Sequence, residues 1–269
     1  MVATINDATI HYVDIGNPSS IPVVFVHGFP FSHEMWKPQL DEVGKLYRAT
    51  AYDIRGHGMS FIGDGQFTIE HHVDDLIALL DHLNIWKTVI VGLSMGGYIV
   101  LRALERNPER FRGVVLCDTR SEADSDETKL KRFSSMVAAK KNGSAQFADG
   151  FVKAVFAKET FDKNPEAVEK IRKIIQRTPP LSIAGTLLAL AARTDTTNSL
   201  SHINLPTMIL VGEHDITTPP SAAQALHERI ARSELYLIPG AAHMSNIENA
   251  VFFNEKLLAF LKRVASTPE

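Results

Sequence analysis

The amino-acid sequence predicts an α/β fold in which helices cover both faces of a mostly parallel sheet. Short, continuous apolar runs lie at 22–26, 87–91, 114–117 and 207–211, and each is typical of a strand that is buried on both faces. Helical patterns alternate with these strands, which indicates a parallel sheet with crossover helices. The 269 residues suffice for one large domain of this class.

The first residues predict a hairpin ahead of the parallel strands. Residues 2–5 and 9–13 alternate between apolar and polar side chains, and Asn6-Asp7 between them suits a tight turn. The remaining strands are predicted at 47–52 and 234–238. The helical patterns fall at 36–43, 68–83, 95–107, 221–230 and 250–264.

The alternation of strands and helices stops between residues 120 and 195, where the sequence predicts helices alone. Asp126 suits the start of one of these helices, and Gly143 suits its end. Strands return after this segment. We therefore expect a helical cap, 120–195, that is inserted into one core domain formed by 1–119 and 196–269.

Composition and charge argue against several classes of protein. A formal net charge of -3 and a pI of about 6.4 give no reason to expect a nucleic-acid partner. No run approaches the ~18 apolar residues of a membrane helix, and the first residues lack a secretory signal pattern. The single cysteine, Cys117, allows no intrachain disulfide, so we expect a cytoplasmic protein.

The predicted cap has a charge balance of its own. Residues 120–195 contain 14 Lys and Arg against 10 Asp and Glu, whereas the whole chain contains 28 and 31. A positive surplus of this size fits ordinary solvated helix faces. It also fits a docking face for an acidic carrier or substrate, and the sequence leaves both interpretations open.

A candidate nucleophile lies between a predicted strand and a predicted helix. The run Gly92-Leu93-Ser94-Met95-Gly96 matches the G-x-S-x-G pattern, in the position that a nucleophile elbow requires. Gly92 and Gly96 leave room for the sharp turn that exposes the serine hydroxyl. The following helix directs its first N–H groups and the positive end of its dipole to the same place. We therefore predict Ser94 as the nucleophile.

A serine hydroxyl needs a base, and the base needs a carboxylate partner. His243 follows the last predicted strand and Asp215 follows the strand before it, so both lie where ligands bind an α/β sheet. The order Ser94, Asp215, His243 is one that known triads use. We expect Glu213 to cap its loop, and Asp118, which follows an earlier strand, is the alternative acid.

The oxyanion of a tetrahedral intermediate needs backbone donors. The N–H of Met95, directly after the predicted nucleophile, is one candidate. The loop that follows the strand at 22–26 should supply the second donor, and we predict the N–H of Phe29 because Pro30 has none. His27 and His57 each precede a glycine, and we expect both to shape loops.

These motifs together resemble the α/β-hydrolase superfamily, and the resemblance covers essentially the whole chain. Five matches occur in the family's order: His27-Gly28-Phe29-Pro30, Asp53…Arg55-Gly56…Gly58…Ser60, the Ser94 elbow, Gly212…Asp215 and Gly240…His243. The resemblance implies the α/β-hydrolase fold, with a mostly parallel eight-stranded sheet. Within the family, the chain is similar to small capped carboxylesterases and to 3-oxoadipate enol-lactonases.

The reaction that this resemblance implies is acyl transfer through an acyl-enzyme on Ser94. The expected partner is a small-molecule ester or lactone, and the expected activity is that of a carboxylic-ester hydrolase. Two alternatives remain: cofactor-free perhydrolysis of the haloperoxidase type, and a receptor that holds a small molecule without turnover.

We predict no cofactor and no metal. The sequence lacks an H-E-x-x-H motif, one cysteine cannot build a thiolate site, and no G-x-G-x-x-G follows a strand. A homo-oligomer remains open. Several apolar cap residues are candidates for the pocket lining or for the cap's own core: Phe133, Met136, Phe147, Phe151, Val155, Phe156, Leu187 and Leu188.

Overall fold

One sheet of eight strands organises the protein, whose computed structural model describes residues 1–266. The strands are β1 (Val2–Ile5), β2 (Ala8–Ile15), β3 (Pro22–Val26), β4 (Arg48–Tyr52), β5 (Thr88–Leu93), β6 (Phe111–Cys117), β7 (Thr207–Gly212) and β8 (Ser233–Ile238). Their order across the sheet is β1-β2-β4-β3-β5-β6-β7-β8. The pairs β1–β2 and β2–β4 are antiparallel and all later pairs are parallel, which confirms the predicted fold class.

Most helices begin and end close to where the sequence pattern predicts. The helices are α1 (Lys37–Val43), α2 (Ile69–His82), α3 (Met95–Arg106), α4 (Asp126–Val155), α5 (Thr160–Lys163), α6 (Pro165–Arg177), α7 (Pro180–Ala191), α8 (Pro220–Arg229), α9 (Ser245–Glu248) and α10 (Ala250–Ser266). Thr68 caps α2, because its side chain accepts a hydrogen bond from His71 N–H. Within residues 1–266, no helix combines the length and the apolar character needed to cross a bilayer.

Each central strand supplies side chains to two apolar layers, one on each face of the sheet. In β3, Val24 and Val26 belong to the layer that also contains apolar residues of α2 and α3. Val23 and Phe25 alternate with them and belong to the layer that contains residues of α1 and α10. A strand with both faces buried has no polar face, which explains its continuous apolar run.

Helices α4 to α7 follow one another between β6 and β7, and α4 packs against both α6 and α7. The prediction that the helix starting at Asp126 ends at Gly143 is wrong in one respect. Gly143 has φ of 82°, which interrupts the helical geometry, but the chain resumes a helix and continues to Val155. Glycine adopts this left-handed conformation without a Cβ clash, so the result is a kink. The division into a core and a cap, 120–195, stays a prediction.

Candidate active site

Ser94 lies in a strained turn between β5 and α3. Its φ of 53° and ψ of -114° lie outside the regions that L-residues ordinarily adopt. A Cβ on Gly92 would lie 2.5 Å from Gly96 O, and a Cβ on Gly96 would lie 2.1 Å from Val26 O. Only glycine fits at either position. The sequence pattern thus produces the sharp elbow that it predicts.

Hydrogen bonds hold the elbow to the neighbouring strand. Ser94 N–H donates to Cys117 O at 2.9 Å, and the Thr119 hydroxyl donates to Ser94 O at 2.8 Å. The backbone of Ser94 is therefore fixed by β6 and by the residues directly after it. Because both contacts use Ser94 backbone atoms, its side-chain hydroxyl is left for other partners.

His243 and Asp215 form a buried hydrogen-bonded pair. The distance from His243 Nδ1 to Asp215 Oδ2 is 2.7 Å, and both residues are 2% exposed. The carboxylate accepts three further hydrogen bonds, from the N–H groups of Thr217 and Thr218 and from the Thr218 hydroxyl. Burial alone would raise the pKa of Asp215, but His243 and these donors outweigh it and hold the pKa below its usual value.

Asp118 is a second buried carboxyl group beside this pair. One carboxylate oxygen of Asp118, one of Asp215 and a ring nitrogen of His243 all lie within 4.8 Å of one another. Asp118 Oδ1 accepts a hydrogen bond from Gly212 N–H at 2.8 Å, and Oδ2 bonds to the Ser245 hydroxyl. Burial, followed by the charge of Asp215, raises the pKa of Asp118 well above its usual value. Two carboxyl groups this close do not both ionise readily, so the pKa of Asp118 rises while that of Asp215 falls.

Ser94 and His243 line one cavity of about 800 Å³. Phe29 and Met95, whose N–H groups are the predicted oxyanion donors, line the same cavity. Since Asp215 occupies His243 Nδ1, the other ring nitrogen, Nε2, is the one available to a group in the cavity. Four of the five predicted site residues thus line one cavity, and the fifth, Asp215, is hydrogen-bonded to His243. Their catalytic roles stay a prediction.

The candidate lining residues from 120–195 fall into different environments. Phe147 and Phe151 line the cavity with stacked rings, 5.5 Å between centroids, and Leu187 joins them. Phe133 and Leu188 are exposed. The other three pack into the apolar layers of the protein: Met136, Val155 and Phe156. The periodicity shows which residues are apolar but cannot show which helix face meets the cavity.

Charged residues of 120–195 also line the cavity, and the sequence reasoning missed them. Arg120, Asp124, Arg132 and Arg193 all contribute to its wall. The positive surplus of this segment was the available signal. Which of the 14 basic side chains point inward depends on how the helices are oriented, and sequence alone does not contain that information.

Two flanking polar residues have the structural roles that the sequence predicts. His27 donates from Nδ1 to Gly28 O and accepts at Nε2 from Ile54 N–H, which fixes a neutral tautomer. Burial, and then the charge of His57, lowers the pKa of His27 to about 3. Glu213 accepts a hydrogen bond from Gly240 N–H and so ties two loops together.

Two groups of side chains in residues 1–266 have the composition of a metal site. One consists of Asp118, Asp215 and His243, whose atoms are engaged in the hydrogen bonds described above. The other consists of His11, His33 and Asp53. Asp53 there accepts hydrogen bonds from both the backbone and the ring of His33.

Known proteins resemble the chain over nearly its whole length. The family model described as "alpha/beta hydrolase fold" matches residues 21–250. The chain is 28% identical to "3-oxoadipate enol-lactonase 2" of Acinetobacter baylyi, over 97% of this chain and 96% of that protein. It is 30% identical to a "putative non-heme chloroperoxidase" of Synechocystis, over 96% of this chain and 97% of that protein.

Solved structures give the same result. A thermophilic esterase from Thermogutta terrifontis, solved with malate bound, superposes with a TM-score of 0.94 at 33% identity, and the match covers 99% of each chain. The elbow, the buried His–Asp pair and the sheet order are thus accompanied by similarity over nearly the full length. The chain belongs to the α/β-hydrolase family.

Proposed function

We propose that this protein is a serine hydrolase that cleaves carboxylic esters, including lactones, of small to medium size. The observation that carries the proposal is the 2.7 Å hydrogen bond between His243 and Asp215 beside the cavity that Ser94 lines. The similarity to an esterase and to an enol-lactonase supports this substrate class.

In the proposed reaction, His243 Nε2 takes the proton of the Ser94 hydroxyl as Ser94 Oγ attacks the ester carbonyl. Asp215 keeps the proton on Nδ1 and stabilises the imidazolium that forms. The N–H groups of Met95 and Phe29 donate to the oxyanion. The alcohol leaves with a proton from His243, and water that His243 then activates releases the acid from Ser94.

We also propose that residues 120–195 act as the cap of this site, since Phe147, Phe151 and Leu187 of that segment line the cavity. The cytoplasm remains the expected compartment. The free, buried Cys117 is compatible with a reducing environment.

Perhydrolysis is the second candidate, and the similarity to a non-heme chloroperoxidase favours it specifically. The same acyl-enzyme on Ser94 would then pass its acyl group to hydrogen peroxide in place of water. The two reactions share every step up to the release of the alcohol. Peracid formation from p-nitrophenyl acetate in the presence of hydrogen peroxide distinguishes them.

The test is hydrolysis of p-nitrophenyl acetate and butyrate by the wild-type chain and by Ser94→Ala. We expect turnover by the wild type and a loss of roughly 10⁴-fold or more in Ser94→Ala, because the nucleophile is absent. Both chains should give the same circular dichroism spectrum. Tight binding of esters by a folded wild type that releases no p-nitrophenol would support a receptor and contradict the proposal.

A further inference from the structure

Three guanidinium groups and one carboxylate meet at the wall of the cavity that Ser94 lines. The guanidinium groups belong to Arg120, Arg132 and Arg193, and the carboxylate belongs to Asp124. These four side chains carry a net charge of two positive units, and Lys131, which lines the same cavity, is paired with Glu127. The triad does not use any of them, so the arrangement needs its own explanation.

Asp124 is shared between two of the three arginines. Arg132 donates to it from Nε and NH2, and Arg193 donates to it from NH1. Burial would raise the pKa of Asp124, but the hydrogen bonds and charges of Arg132 and Arg193 hold it below its usual value. One carboxylate thus neutralises one of the two cations to which it is bound.

Arg193 is built into the wall rather than lying on the surface. It is only 7% exposed, and its guanidinium carbon lies 4.4 Å from the centroid of the Tyr98 ring. Its NH2 donates to Glu122 O at 2.7 Å. Its Nε is buried and has no hydrogen-bond partner among residues 1–266. A buried donor without a partner is costly, and a ligand acceptor would relieve that cost.

Arg120 has no carboxylate partner among the described residues. Its NH2 donates to the carbonyl oxygen of Thr217, and its Nε is buried without a partner. Its position is close to the chemistry, since the preceding residue, Thr119, bonds to Ser94 O and Thr217 bonds to Asp215. Arg120 therefore brings a guanidinium group that has no carboxylate partner among the described residues to the stretch between the elbow and the Asp215 loop.

A carboxylate is the ligand that suits this wall best. The planar fork of an arginine matches both oxygens of a carboxylate, and the partly enclosed cavity strengthens the attraction relative to water. The apolar rings of Phe147 and Phe151 line the same cavity and suit a short aliphatic chain. The cavity thus offers a positive anchor, an apolar wall and the Ser94 hydroxyl together.

We propose that the substrate carries a free carboxylate in addition to its ester or lactone group, and that Arg120 binds this carboxylate. The substrate class that this arrangement would bind consists of monoesters and lactones of dicarboxylic acids. The inference rests on the proposed function, because it says which residue binds the end of the substrate that lies away from the carbonyl attacked by Ser94. Arg132 and Arg193, which share Asp124, complete the positive field around the same end.

The test compares two esters of equal chain length, mono-p-nitrophenyl adipate and p-nitrophenyl hexanoate. The ratio of their kcat/KM values isolates the terminal carboxylate. We expect the wild type to prefer the adipate ester, and Arg120→Gln to lower the ratio by roughly 10- to 100-fold, which is the range for a charge-assisted contact. Arg120→Lys should retain part of the preference. Lys129→Gln is the matched control, because Lys129 is a cation of the same segment that pairs with Asp126 outside the cavity.

Binding of adipate and hexanoate to Ser94→Ala, measured by calorimetry, tests the anchor without turnover. Adipate should bind more tightly than hexanoate, and Arg120→Gln in the same background should remove the difference. Equal use of both esters by the wild type would overturn the inference and leave the proposed hydrolase intact. Adipate binding by a chain that hydrolyses neither ester would overturn the proposed function and keep the carboxylate subsite. An adipate preference that survives in Arg120→Gln would show that Arg120 is not the anchor.

Discussion

The carboxyl ends of the strands and the helical segment 120–195 meet at one cavity but are built in different ways. At the strand ends, backbone hydrogen bonds and close approaches at Gly92 and Gly96 fix Ser94 in its strained turn. In the helical segment, long helices are joined by side-chain ion pairs such as Arg172–Asp149, and one of them kinks at Gly143.

The two regions also differ in their titratable groups. His27 and His57, which follow strands β3 and β4, are buried histidines whose pKa values burial lowers, whereas residues 120–195 contain no histidine and a surplus of Lys and Arg. From this difference we infer separate structural origins for chemistry and selectivity. In the proposed enzyme, rigid backbone geometry positions the reacting groups, and the charged side chains of 120–195 select the ligand. Changes at the strand ends should therefore have large effects, and matched changes in the helical segment should have small ones.

The largest contrast we expect lies between the two buried carboxyl groups at the strand ends. Asp215→Asn should lower kcat by roughly 10⁴-fold, because an amide cannot hold the proton on His243 Nδ1. Asp118→Asn should cost roughly tenfold or less, since an amide of the same shape can still bond to Gly212 and Ser245. Steady-state hydrolysis of p-nitrophenyl butyrate measures both losses. If Asp118→Asn lost as much activity as Asp215→Asn, the proposal that Asp215 alone is the acid of the triad would be contradicted.

Replacing one glycine by alanine in each region compares the packing at the strand ends with that in the helical segment 120–195. Gly96→Ala at the elbow should reduce the free energy of unfolding by about 3 kcal/mol, because the new methyl group would lie 2.1 Å from Val26 O. Gly150→Ala in α4 meets no atom within 4 Å and should raise the free energy of unfolding by about 0.5–1 kcal/mol. Urea unfolding followed by circular dichroism measures both values. Equal destabilisation by the two substitutions would contradict the proposed difference in rigidity.

The last comparison concerns pH. Burial holds the pKa of His27 at about 3 in the folded chain, against 6.5 for an ordinary histidine. The unfolded chain therefore binds more protons, and the free energy of unfolding should fall as the pH drops from about 6.5 toward 3. The slope from this residue is about 1.4 kcal/mol per pH unit. His27→Gln should give a shallower slope than the wild type, and replacement of the exposed His214 by Gln should leave it unchanged. Parallel slopes in all three chains would contradict the account.

Local patterns predicted the parts of the molecule that depend on local physics. The apolar runs gave the central strands because both faces of these strands are buried, and the glycines around Ser94 gave the elbow because no other residue fits there. The loops that follow β7 and β8 then brought Asp215 and His243 together, since adjacent parallel strands end at the same edge of the sheet.

Features that depend on helix orientation and on long-range contacts could not be predicted from the sequence. The kink at Gly143 lies within a helix that continues, and a glycine alone does not distinguish a kink from an end. Arg120 and Arg193 carry the same charge as many surface residues, and only packing shows that they line the cavity. The raised pKa of Asp118 depends on its distance from Asp215, and two separate strands set that distance.

Covalent trapping of the nucleophile tests the central claim most directly. A fluorophosphonate reacts with a serine hydroxyl that a neighbouring base activates, and mass spectrometry of the digested chain identifies the labelled residue. We predict one label on the peptide that contains Ser94 in the wild type, and a rate of labelling at least roughly 10³-fold lower in His243→Ala. A folded wild type that takes no label at Ser94, or a His243→Ala chain that is labelled as fast as the wild type, would contradict the account.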